Sequence, residues 1–254
     1  RDVMTSVRVA AAVTALLLPL SACSSTSDDN TRDLADEFSE VEALPFNASG
    51  LLGGNARPEF PAGDSGEMSV VQVGPLVTTS GSLLFAFRNN TDDAISQVKW
   101  TASARSGGKI VSTGSSAETI PAQVASGEVG LAYIDFENAD SIPSNVEYEF
   151  STDSAEIDIS SLNAAPLTVT ETNIVGNSIV GEAKNETGVT TAGPYLVSIY
   201  CFIGTSIVGY KSGPTWAHGT LDDGDTVTFV VKHGDECASY VVGVGGHLVL
   251  AHAV

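Results

Sequence analysis

The 254-residue chain carries 31 acidic against 11 basic side chains, a formal net charge of −20, with only three cysteines and 7% aromatic residues. A surface of that sign repels nucleic-acid phosphates and anionic headgroups, so no nucleic-acid partner is expected. The abundance of Val, Thr, Ser, Ala and Gly suits β-rich extracellular domains with small side chains.

Chain order begins with Arg1 and Arg8 before an apolar run, Val9–Leu20, followed by small Ser21 and Ala22. The run is about half of the roughly 20 residues that a spanning helix needs, and the arrangement is that of a secretory signal over 1–22. Leu20-Ser21-Ala22-Cys23 resembles the lipobox of bacterial lipoproteins. That resemblance implies a lipid on Cys23, which would become the mature N-terminus. It also implies a membrane-anchored, extracytoplasmic location. An ordinary secretory signal is the alternative.

Residues 23–68 read as an acidic, flexible stalk, because "GLLGGNARPEFPAGDSGE" has no sustained period. Within it, Leu34, Phe38, Val41 and Leu44 share a helical stripe, so a short helix over 31–44 is predicted, either free in the stalk or docked on a domain.

From about Val70 the pattern turns to short alternating strands: "SLLFAFR", "AISQVKWTAS", "VGLAYIDF" and "NVEYEFS". "SSLNAAP" at 160–166 interrupts them, and "LTVTETNIV", "SIVGEAK", "YLVSIYCFI", "TVTFVVK", "SYVVGV" and "HLVLAH" resume. The halves match. Asn90 aligns with Asn185 at an offset of 95, and Gly108 with Thr205 and Gly127 with Gly224 at 97. A fixed offset predicts two tandem copies of one domain, a first β-sandwich over 69–160 and a second over 167–254. An Asn-rich turn, a long strand, a Gly turn and a Gly-acid turn before a Val- or Phe-rich strand resemble the FxLYD domain. That family implies an immunoglobulin-like sandwich of envelope proteins. The fold class expected is therefore all-β.

Cys201 and Cys237 remain as an exported pair and read as a disulfide of the second sandwich, whose loss should spare the first. A nucleophilic cysteine beside a histidine is the competing reading. His218, His233, His247 and His252 all lie in the second copy, but none has metal-ligand spacing. "LDDGDT" at 221–226 reads as a solvated hairpin turn, and "GVGGH" at 243–247 lacks the helix that a phosphate loop needs. No catalytic residue, cofactor or metal is expected. The function predicted is non-enzymatic: interaction with an unknown envelope or extracellular protein or ligand, or a structural role. A metal-dependent binder or enzyme using the histidines is the alternative.

Overall fold

The computed structural model describes residues 41–116, 118–156, 164–215, 219–234 and 237–249. The signal segment, Cys23, the helix expected over 31–44 save its last four residues, His218 and His252 lie outside them. Residues 41–44 carry no helix. The described chain is all-β, with antiparallel ladders and one short 3-10 turn.

A short pairing segment, β1 (Gly53–Gly54), precedes the first copy. That copy comprises β2 (Met68–Val77), β3 (Ser82–Asn89), β4 (Ile95–Ser106), β5 (Lys109–Ser116), β6 (Thr119–Ile120), β7 (Gln123–Val124), β8 (Val129–Phe136) and β9 (Glu147–Glu156). The second comprises β10 (Ala164–Val175), β11 (Ser178–Lys184), β12 (Thr191–Ile203), β13 (Ser206–Pro214), β14 (Thr220–Leu221), β15 (Thr226–Lys232) and β16 (Ser239–Leu248). The stretch "SYVVGV" and the following His247 and Leu248 lie in one strand, with the glycine run inside it.

In each copy a three-strand ladder faces another: β2–β3–β8 against β5–β4–β9, and β10–β11–β15 against β13–β12–β16. The copies differ in which corner is closed. In the first, β5 pairs β8 at Gly114↔Phe136; in the second, β10 pairs β16 at Ala164–Leu167.

The turn chemistry repeats atom for atom. Asn89 Nδ2 donates to the carbonyls of Asp93 and Val124, and its Oδ1 accepts from Thr91 N and Oγ1. Asn185 does the same with Val189, Leu221 and Thr187. Gly127 N donates to Asn89 O and Gly224 N to Asn185 O, both at 2.7 Å. Both glycines have positive φ, 78° and 92°, where a Cβ is strained. The partner of Asn185 is thus Asn89, one residue before the expected Asn90, while Gly127 and Gly224 are equivalent as expected. Asn90 instead donates to Ala62 O and Asp64 O. Asn89→Ala and Asn185→Ala each strand two carbonyls and should each cost about 2–3 kcal/mol, read as matched shifts in urea midpoint. Losses under 1 kcal/mol would refute the shared role.

Each sandwich has its own core: Phe85, Phe87, Trp100 and Ile134 in the first, Ile179, Val197, Ile199 and Phe229 in the second. A third core joins them. Leu84, Ala86 and Leu131 from the outer face of β3 and β8 pack with Tyr200, Phe202, Ile207 and Val241 from the outer face of β12, β13 and β16. Gln72 reinforces the seam, donating to Thr205 O at 3.0 Å and accepting from Ile207 N at 2.9 Å. Residues 40–254 form one compact unit.

The seam also covers part of the expected stalk. From residue 44 to 67 the chain is a strap fixed to both sandwiches, which corrects the flexible reading for those residues. Leu52 and Ala56 lie in the shared core, and β1 pairs β16 at Gly53↔Val242 and Gly54↔Val241. Asn55 accepts from Tyr240 N and donates to Ala238 O. On the first sandwich, buried Arg88 donates to four carbonyls, those of Leu44, Phe60, Pro61 and Gly127. No periodicity marks the strap because polar side-chain and backbone bonds hold it, not an alternating apolar face.

Candidate functional site

The seam between the sandwiches opens at one end into an apolar cleft of about 350 Å³, within the range of small-molecule sites. Leu52 of the strap, Ile120 and Pro121 of the first copy, and Pro166, Pro194 and Pro214 of the second line it. The glycine run of β16 gives it room. A Cβ at Gly243 would sit 2.8 Å from Ile120 Cβ, and one at Gly246 would sit 2.6 Å from the Tyr195 ring. At Gly245 a Cβ would meet only ordinary contacts, 3.7 Å from Ala122 Cβ and Ala165 O. Glycine inside a strand marks close approach of another group. That was the signal in "GVGGH" for this site.

The polar end of the cleft is Glu118. Its Oε1 accepts from Ser198 Oγ at 2.5 Å and from Tyr210 Oη at 3.1 Å, both of the second copy. Its Oε2 accepts from Tyr133 Oη of the first copy at 2.8 Å. A carboxylate is an acceptor-only group, so three converging hydroxyls suit its charged form. The ion pairs found among the described residues, Arg105–Glu149 and Lys184–Glu186, do not involve Glu118. Beside it, Thr119 is 91% buried, and its Oγ1 has no hydrogen-bond partner. Neither Lys nor Arg lines the cleft.

Tyr200 and Tyr210 stack 5.0 Å apart and Tyr133 and Tyr210 4.9 Å apart. Burial pushes all three phenols well above their usual range, helped next by Glu118 at Tyr133 and Tyr210 and by Tyr210 at Tyr200. The folded protein therefore keeps protons that the unfolded chain releases near pH 10. Stability should be flat up to about pH 9.5 and fall above about pH 10, by up to about 1.4 kcal/mol per pH unit for each such tyrosine. Tyrosinate absorbance should rise together with unfolding. Titration of all tyrosines near pH 10 in a folded protein would refute this.

Cys201 and Cys237 meet as a disulfide, Cα atoms 4.7 Å apart, and both are fully buried in the second core. A nucleophilic cysteine is thereby unsupported. His247 lines the cleft, pairing with Ala164 at the start of β10. His233 sits at the far end of that strand, where its N donates to Asn177 O. The two are not brought together, and no cluster of three metal-ligating side chains occurs among the described residues. In "LDDGDT" the carboxylates cap a neighbouring turn. Asp223 accepts from Gly188 N, Asp222 from Thr190 Oγ1, and Asp225 from Asp222 N.

No protein-family model matches the chain, and no curated protein matches it. Among the described residues no helix is long and apolar enough to cross a membrane.

Proposed function

We propose that this chain is a bacterial envelope lipoprotein, anchored by lipid on Cys23, whose paired sandwiches capture a small apolar ligand without catalysis on the extracytoplasmic side. The supporting observation is the apolar cleft at the seam, walled by both copies and the strap and carrying one small polar end. Cleft walls drawn from a rigid, shared core are pre-organised, so little ordering cost opposes binding. The Asn-rich and Gly-acid turns repeated in both halves support the FxLYD-like reading, and the run Leu20–Cys23 supports the anchor.

Two measurements test the reading. A neutral apolar dye should bind the full chain with a rise in emission, and Gly245→Leu, which fills the cleft from an open position, should weaken it at least tenfold. Equal binding by the variant, or none by either protein, would overturn ligand capture. Fatty-acid labelling in cells should be lost in Cys23→Ser; retained label would overturn the anchor.

A further inference from the structure

We infer that the ligand of the cleft is a small apolar amine, its ammonium head at Glu118 and its hydrocarbon body against Leu52, Pro166, Pro194 and Pro214. The inference rests on the reading of the cleft as a capture site and adds the charge and polarity of what is captured.

Two observations carry it. Glu118 faces an apolar cleft with hydroxyl partners but no cation among its described contacts. Hydrogen bonds spread a carboxylate's charge, yet a half-buried charge against an apolar lining still gains from an opposite charge beside it. Three hydroxyls leave one of about four lone-pair directions of the carboxylate open, enough for one N–H donor.

Charge complementarity excludes the converse ligand. An anion such as a fatty acid or phosphate would meet Glu118 with no Lys or Arg in the lining. The chain's formal charge of −20 adds a field that attracts cations and repels anions before contact. A neutral alcohol fills the same volume but leaves the charge uncompensated, so it ranks between the two.

Octylamine, octanol and octanoate share one chain and differ in head charge, and titration calorimetry of the full chain with each tests the proposal. Octylamine should bind at least tenfold more tightly than octanol, and octanoate most weakly. Glu118→Gln keeps the shape and removes the charge, so octylamine should fall to the level of octanol. The ranking of the three ligands on the unaltered chain decides the proposal by itself should Glu118→Gln fail to fold. Gly245→Leu should weaken all three. Octanoate binding as well as octylamine, or an amine preference that survives Glu118→Gln, would overturn the inference. Dye binding with no amine preference would leave ligand capture standing and remove only the amine. Loss of dye binding as well would remove both.

Discussion

Arg88→Met should destabilise the protein by roughly 4–5 kcal/mol, the largest loss expected from a single side chain outside the apolar cores. The guanidinium is 3% exposed and donates to four carbonyls at 2.6 to 3.2 Å. Burial draws its pKa down, but an arginine remains charged. Methionine removes the desolvation cost of the charge, which offsets part of the loss. The carbonyls of Leu44, Phe60, Pro61 and Gly127 stay where they are, now without donors, and that cost dominates. Arg88→Lys should recover little, because a point ammonium cannot reproduce a planar fork reaching both sides. Urea midpoints measure the loss. Hydrogen exchange at Leu52 and Asn55 should quicken before global unfolding, because the strap loses its hold on the first sandwich. A loss below 1 kcal/mol would show that the strap is held without Arg88.

Reducing the Cys201–Cys237 bridge, or replacing both residues by alanine, should cost about 4 kcal/mol in the chain-entropy picture for a separation of 36. For a chain of this size the melting temperature should fall roughly 8–16 °C. From the sequence, only the second sandwich should feel this loss. The shared core changes that expectation. Tyr200 and Phe202 stand beside Cys201 on β12 and pack against Leu84 and Leu131 of the first copy. Unfolding the second sandwich would strip that face, so both sandwiches should melt in one transition that shifts as a whole. Two calorimetric peaks, with only the upper or lower one moved by reductant, would refute the coupling.

The strands were legible where one face is buried. In β15, Thr226, Thr228 and Val230 face out while Val227, Phe229 and Val231 face in, a period of two that needs no structure to see. The seam was harder to read. In β3 all eight residues are buried, Leu83, Phe85 and Phe87 into the first core and Leu84 and Ala86 into the shared one. "SLLFAFR" thus lacks true alternation, and a continuous apolar run signals a strand covered on both sides. "VSIYCFI" holds the same message in β12. Glu118 was not legible at all. Its role depends on Ser198 and Tyr210, which are far away in sequence and meet it only because the seam forms.

The same comparison shows how the outer faces of the pair differ from the seam. Leu84 and Leu131 correspond to Val180 and Thr228 of the second copy, and Tyr200 and Phe202 correspond to Ser103 and Arg105 of the first. The outer faces thus carry Ser103, Arg105 and Thr228 where the seam carries Tyr200, Phe202 and Leu131, while Val180 keeps an apolar side chain in the place of Leu84. A repeated unit that kept its sticky faces would go on adding neighbours head to tail.

The strap has a further consequence, for the timing of folding. Gly53 and Gly54, near the beginning of the described chain, pair with Val242 and Val241, near its end. Contacts so distant in sequence bear a large loop-closure cost and form late. The first sandwich can gather its own core as soon as β9 exists, but the segment over it must wait for β16, the last strand. A nascent or clipped chain lacking β16 would leave Leu52 and Ala56 without their cover from the second copy, exposed to chaperones and proteases. Closure of the strap thus reports that both sandwiches have formed, and the cleft that it walls exists only once they have met.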